Sequence, residues 1–210
     1  RYILLSVLAV PVIVILMLFN TYDLPILKVE DLVVEKFASC GVPHHLCSPT
    51  TMTFVEEDIL ILQKNNGVVH QIQDNFWGGK ELTEKPVLEV AVNPIRESGL
   101  LGVTSVGSTV YIYFTEVDLD GEQLGNRIYK YDWDGDALIN PVLLKELPSN
   151  EYHNGGAMVT GLDNQVYAVI GDTGKYGPLQ NKLLEYLFPP GTPDYMDTGV
   201  ILQVDPVGPY

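Results

Sequence analysis

Beyond residue 48, apolar and polar positions alternate in short runs instead of recurring every three or four residues, a pattern that predicts strands and not helices. The runs are 50–55 (TTMTFV), 58–63 (DILILQ), 67–73 (GVVHQIQ), 86–92 (PVLEVAV), 100–105 (LLGVTS), 109–115 (TVYIYFT), 126–133 (NRIYKYDW), 141–147 (PVLLKEL), 156–161 (GAMVTG), 165–171 (QVYAVIG) and 199–205 (GVILQVD). Between them stand Asn65-Asn66-Gly67, Gly107-Ser108, Asp134-Gly135 and Asp163-Asn164, residue types that accept the positive φ of tight hairpin turns. The expected fold class is all-β.

These strands carry a weak internal repeat. ILILQ leads to GVVHQI, VYIYF to NRIYKY and VYAVI to GVILQV, with first members at Ile59, Val110 and Val166. The spacings of 51 and 56 residues lie just above the ~40 to 50 of one four-stranded propeller blade. About three blades of a β-propeller are therefore expected over 49–210, with a β-sandwich as the alternative. Three blades do not close a ring that normally takes ~4 to 8. Together with a first residue, Arg1, that is not methionine, this makes a fragment of a longer chain the expectation.

A different pattern precedes the strands. Tyr2 to Phe19 is an 18-residue run without a charge, at the lower end of what crosses ~30 Å of hydrocarbon. We read residues 1–22 as a transmembrane anchor, with Pro11 tolerated because lipid-embedded neighbours satisfy the freed carbonyl. Arg1 before the run and Asp23 after it place the later residues on the extracytoplasmic side. A cleaved signal peptide is the alternative, but no A-x-A site follows. Residues 23–48 form a linker in which Cys40 and Cys47 bound CGVPHHLC. Outside the cytosol such a pair reads as a disulfide; unpaired thiols, or a metal cluster with His44 and His45, are the other readings.

Charge narrows the partners. With 27 acidic and 12 basic residues the net charge is −15, so nucleic acid held through phosphate contacts is excluded as a partner. No P-loop, GxGxxG, GxSxG or C-x-x-C-H occurs, which counts against nucleotide-binding, hydrolase and c-type haem chemistry. The acidic segments Asp118-Leu119-Asp120-Gly121-Glu122 and Asp132-Trp133-Asp134-Gly135-Asp136 lack the order and distal glutamate of a calcium loop and read as hairpin turns. Tyr111, Tyr113, Tyr129 and Tyr131 alternate along two strands and are expected to pack between adjacent sheets.

Two features point to chemistry. The first is the 27-residue stretch 172–198, far longer than an ordinary connection, which is expected to be a lid or pocket wall. The second is His153 in EYHNGGAMVTG, beside two glycines that let a ligand approach the backbone. Asp172 ends the next strand in VIGDTG. In an antiparallel pair the start of one strand lies beside the end of the next, so Asp172 is expected to orient the His153 imidazole as a general base.

The segment LPSNEYHNGGAMVTGLDNQVYAVIGDTG, followed by LEYLFPPG and GVILQVDPVG and preceded by ESGLLGV and VYIYFT, resembles the glucose/sorbosone dehydrogenase family of quinoprotein sugar dehydrogenases over roughly residues 49–208. The resemblance implies a partial six-bladed propeller, pyrroloquinoline quinone (PQQ) and calcium as cofactors, and oxidation of an aldose-type sugar at C1. It gives His153 the role of base, with Asp172 supporting it, and puts Glu97, Asn154 and Leu184 at substrate- or cofactor-binding positions. Most cofactor ligands are expected beyond residue 210, and the electron acceptor is not indicated. The chain departs from the family pattern at Ala157, where relatives often carry arginine, at Glu97, where the soluble glucose enzymes have glutamine, and at Tyr152, where an acidic residue can precede the histidine. These departures leave a non-catalytic propeller serving as a binding module as the alternative function. A propeller lactonase would need a repeated Glu or Asn in every blade, and none is seen.

Overall fold

Most alternating runs pair with a neighbour in the chain across turns short enough to bring consecutive strands together. The computed structural model describes residues 37–39, 48–74, 76–174 and 197–204. Its strands are β1 (Ala38–Ser39), β2 (Pro49–Val55), β3 (Asp58–Gln63), β4 (Val68–Asp74), β5 (Lys80–Leu82), β6 (Leu88–Glu89), β7 (Leu100–Val106), β8 (Thr109–Val117), β9 (Gln123–Trp133), β10 (Leu138–Leu147), β11 (Gly155–Thr160), β12 (Val166–Ile170) and β13 (Val200–Val204). There is no helix among the described residues, and none long and apolar enough to cross a membrane. The apolar run 2–19, Cys40, Cys47, Leu184 and most of the stretch 172–198 fall outside the described residues.

The strands form three sheets, ordered β1-β5-β4-β3-β2, β10-β9-β8-β7 and β11-β12-β13, with β6 on the side of β4. All neighbours pair antiparallel except β1 with β5. The repeated pairs seen in the sequence are β3–β4, β8–β9 and β12–β13, the first two in the middle of their sheets and the third at the end of its own. This all-β arrangement of successive meanders is consistent with a partial β-propeller-like fold.

The middle sheet is buried on both faces, and β8 shows why. Its alternation is apolar on both sides: Val110, Ile112 and Phe114 join a core shared with Leu60, Leu62 and Val69 of the first sheet. Tyr111 and Tyr113 point the other way, into a core with Val166, Ala168 and Ile170 of the third. Tyr129 and Tyr131 pack on the first-sheet side, Tyr129 stacked on Phe114 at 5.4 Å. The four tyrosines thus lie between sheets, as their spacing predicts. Burial drives the Tyr131 and Tyr113 hydroxyls well above the usual phenol range.

The strands β2, β7 and β11, one from each sheet, run side by side. Thr50 Oγ1 donates to the Leu100 carbonyl at 3.0 Å, and Thr160 Oγ1 donates to the Ser105 carbonyl at 2.7 Å while lying 2.9 Å from Thr104 Oγ1. At Gly102 the approach is so close that a Cβ would lie 1.7 Å from the Gly156 carbonyl oxygen. A side chain at either Gly102 or Gly156 would push the second and third sheets apart.

Two expectations need correction. The run 86–92 is not one strand: only Leu88–Glu89 pairs with β4, while Val87 accepts from the Leu138 amide, Ala91 accepts from Val117, and Val92 bridges Glu116. The segment passes from the first sheet to the second, and changing partners prevents a continuous ladder. Conversely, the short β5 was not expected, since KEL carries no apolar alternation. The acidic segments are turns: Asp118 Oδ1 accepts from the amides of Asp120 and Glu122, both at 2.9 Å. Asp134 Oδ1 does the same for Asp136 and Ala137, and these bonds hold its carboxyl below the ordinary range. Among the described residues no three His, Cys, Asp or Glu side chains gather to hold a metal ion.

Candidate functional site

The connection from β10 to β11 and the end of β12 meet where the antiparallel pairing of β11 with β12 requires, Gly155 standing opposite Ile170. His153 Nδ1 lies 2.7 Å from Asp172 Oδ1. The Gly174 amide also donates to Asp172 Oδ1 at 2.9 Å. This amide and the imidazole hold the Asp172 carboxyl below its ordinary value, so the group is an ionised acceptor at neutral pH. The imidazole side chain is 43% exposed.

The backbone of His153 is as constrained as its ring. It has a φ of 58°, the left-handed region that a residue with a Cβ enters only at a cost. Three partners keep it there. The Glu97 Oε2 atom accepts the His153 amide at 2.6 Å, the Thr173 amide donates to the His153 carbonyl at 3.0 Å, and Gly171 leaves the room that this carbonyl occupies. Glu97 comes from the connection between β6 and β7, 56 residues away in sequence. Its own amide donates to the Glu151 carbonyl at 3.0 Å, so the two loops clasp each other.

Behind the histidine lies a polar knot that the sequence reading missed. Asn154 is 1% exposed and its side chain points inward. Its Oδ1 accepts from Asn126 Nδ2 at 3.0 Å and from the Asn150 amide at 3.1 Å. Its Nδ2 donates to the Asn150 carbonyl at 2.7 Å and to Ser98 Oγ at 3.3 Å. Asn126, wholly buried, also accepts from Thr115 Oγ1 at 2.7 Å and donates to the Pro148 carbonyl at 3.0 Å. Tyr113 Oη donates to the Asn154 carbonyl at 2.8 Å. Asn154, expected at a substrate- or cofactor-binding position, commits its side-chain amide to these protein groups and so shapes the loop that presents His153. The signal available for this knot was Asn126, a polar residue at the head of the expected run 126–133.

Around this core the charges are mixed. Arg96, with a φ of 56°, lies 3.9 Å from Glu151 and 5.8 Å over the Tyr152 ring. Lys64 Nζ donates to the Arg96 carbonyl at 2.8 Å; partial burial lowers its ammonium below the usual lysine range, with Glu97 opposing that shift. Ala157 is exposed on β11. The structure thus brings together His153, Asp172 and Glu97, and turns Asn154 inward. Leu184 falls outside the described residues.

Residues 46–185 match the model of the family described as glucose/sorbosone dehydrogenase. The chain is similar to quinoprotein glucose dehydrogenase B of Acinetobacter calcoaceticus, 27% identical over 156 residues, covering 68% of this chain and 31% of that protein. The structure is similar to the PQQ-bound form of aldose sugar dehydrogenase from Streptomyces coelicolor, with a TM-score of 0.54 and 27% identity over 69% of this chain and 42% of that one. A putative oxidoreductase (glucose dehydrogenase) from Thermus thermophilus shares the fold, with a TM-score of 0.52 at 21% identity over 62% of this chain and 39% of that one. The chain therefore spans between about a third and two fifths of the length of these relatives. On the strength of the match over 46–185, it belongs to the glucose/sorbosone dehydrogenase family.

Proposed function

We propose that this chain is part of a PQQ-dependent oxidoreductase that oxidises aldose-type sugars at C1, with His153 as general base and Asp172 as the carboxylate that orients it. The observation that carries the reading is the 2.7 Å contact between His153 Nδ1 and Asp172 Oδ1. An ionised carboxylate only accepts hydrogen bonds, so the neutral ring donates through Nδ1–H and carries its basic lone pair on Nε2. Nε2 takes the proton of the C1 hydroxyl as the C1 hydride leaves, and Asp172 stabilises the imidazolium that results. When bound, PQQ supplies the two-electron acceptor for that hydride. The donor set fits the sugar end of such a site: a base and its orienting carboxylate. The cations that would hold carboxylates of the quinone are expected in later blades, beyond residue 210. No step is assigned to calcium.

Within this reading the three sheets are blades of a six-bladed propeller, and residues 49–210 are its first part. Residues 1–22 anchor the protein in a membrane, with the propeller on the extracytoplasmic side and Cys40 disulfide-bonded to Cys47 in the linker. Alkaline extraction of membranes tests the anchor, and thiol labelling with and without reductant tests the disulfide. A non-catalytic propeller module is the second reading, favoured by the exposed Ala157 where relatives often carry arginine.

A dye-linked oxidation assay on the full-length protein, with PQQ and calcium added, decides between them. His153→Ala is expected to lower turnover by at least about 10²-fold, the usual scale for a general base, while the circular dichroism of the fold is unchanged. Turnover at the parental rate removes His153 from the mechanism, and absence of turnover on every aldose in the unmodified protein removes the enzyme reading.

A further inference from the structure

We infer that Glu97 is a positioning residue: its carboxylate holds the His153 backbone in its left-handed conformation and so sets where the imidazole sits, instead of serving as a ligand for the sugar. The inference rests on His153 being the base, and it departs from the substrate- or cofactor-binding role that the family resemblance gave this position.

The geometry argues for it in three ways. The bond from the His153 amide to Glu97 Oε2 is 2.6 Å, in the short range of bonds to an ionised acceptor, which are roughly twice as strong as neutral ones. The conformation it holds is one that needs holding: a φ of 58° on a residue with a Cβ persists only when surrounding contacts over-determine it. And the carboxylate does not drift, because Glu97 is tied to the opposite loop through its amide on the Glu151 carbonyl, while its neighbour Ser98 is fully buried and donates to the Asn150 carbonyl at 3.1 Å.

The chain positions on either side explain why the acceptor must come from elsewhere in the fold. Gly155 follows one residue after Asn154 with a φ of 77°. The Thr173 amide already occupies the His153 carbonyl, and the Gly171 amide occupies that of Asn154 at 3.3 Å. The His153 amide faces the β6–β7 connection, and Glu97 is the group there that accepts it. The site is therefore braced from two sheets: Asp172, at the end of β12, fixes the ring, and Glu97, ahead of β7, fixes the main chain from which the ring hangs. Arg96 and Lys64 lie near enough to temper the local excess of carboxylate from Glu97, Glu151 and Asp172.

A glutamine at this position keeps an oxygen that accepts the same amide proton, whereas alanine does not, and this sets the test. In ¹⁵N-labelled protein without cofactor, the His153 amide proton is expected far downfield and slow to exchange. Glu97→Ala is expected to move it upfield and speed its exchange by at least about tenfold, with Glu97→Gln in between. In the enzyme supplied with PQQ and calcium, Glu97→Ala is expected to lower kcat by about 10²-fold, the scale of a base displaced by about 1 Å, with the sugar KM within about twofold of the parent. Glu97→Gln recovers most of that kcat. A sugar ligand would behave in the opposite way, raising KM in both variants and leaving the His153 amide unmoved, and that result overturns the inference. Because the amide measurement needs no turnover, it stands if His153 proves not to be the base, and an unshifted amide in Glu97→Ala refutes the bracing even if the activity reading survives.

Discussion

Gly171 offers the sharpest test of how the fold shapes the site. It follows β12 and precedes Asp172, and a Cβ placed on it would lie 1.8 Å from the carbonyl oxygen of His153 and 2.9 Å from the Gly155 nitrogen. Real Cβ atoms essentially never come within 3.0 Å of a neighbour, so Gly171→Ala forces a backbone displacement of about 1.2 Å. Neither obstacle is a flexible side chain: the His153 carbonyl is held by the Thr173 amide at 3.0 Å, and Gly171 itself donates to Asn154 at 3.3 Å. Overpacking of this kind costs about 1 to 3 kcal/mol, a fall in Tm of roughly 3 to 10 °C for a chain of this size. The displaced group is also the main chain of the base, so turnover is expected to fall by about 10²-fold. Gly107→Ala separates this steric effect from simple backbone strain. Gly107 has a φ of 58° and nothing within 4 Å of an added Cβ, so alanine there costs about 1 kcal/mol and leaves turnover at the parental rate. Thermal unfolding followed by circular dichroism, with the dye-linked assay on the same samples, measures both. A Gly171→Ala protein that melts and turns over like the parent would refute the close approach of the two loops.

Two further outcomes follow from the polar contacts. Asp172 has its carboxyl lowered in the fold, so the stabilisation it brings is present above the ordinary carboxylate pKa and is lost as pH falls through the lower folded value. Urea unfolding of the parent and Asp172→Asn is thus expected to differ at about pH 7 and to converge as pH falls below the ordinary carboxylate range; a gap that persists unchanged in acid contradicts this origin. Asn126→Ala is expected to destabilise by about 2 kcal/mol, since it strands Thr115 Oγ1 and the Pro148 carbonyl in a buried setting and takes one of two donors from Asn154 Oδ1, and a chemical denaturation midpoint equal to the parent's would show that water satisfies those groups.

The strands were legible from the chain because their determinants are local. A period of two, bounded by Asn65-Asn66-Gly67 or Asp134-Gly135, marks a hairpin wherever it occurs, and the observed β3 coincides with the expected run from Asp58 to Gln63. The pairing of His153 with Asp172 was legible for the same reason: they flank one antiparallel pair, β11 and β12, and hairpin geometry alone brings strand start and strand end together. The segment 86–92 failed as a strand because its amides and carbonyls are shared between two sheets, a choice no local pattern encodes.

What the tertiary structure alone decided is how separate sheets meet. The sequence determined that β8 is apolar on both faces along its centre, but the packing assigned Ile112 to one core and Tyr113 to the other. It determined that Glu97 stands two residues before Gly99, but only the clasp of two loops 56 residues apart put that carboxylate on the His153 amide. It determined an asparagine after the histidine, and only burial beneath Asn126 and Ser98 turned Asn154 inward. Alternation and turn chemistry act over a few residues and survive in the one-dimensional pattern; contacts between sheets depend on the summed packing of many side chains, and that sum exists only once the chain has folded.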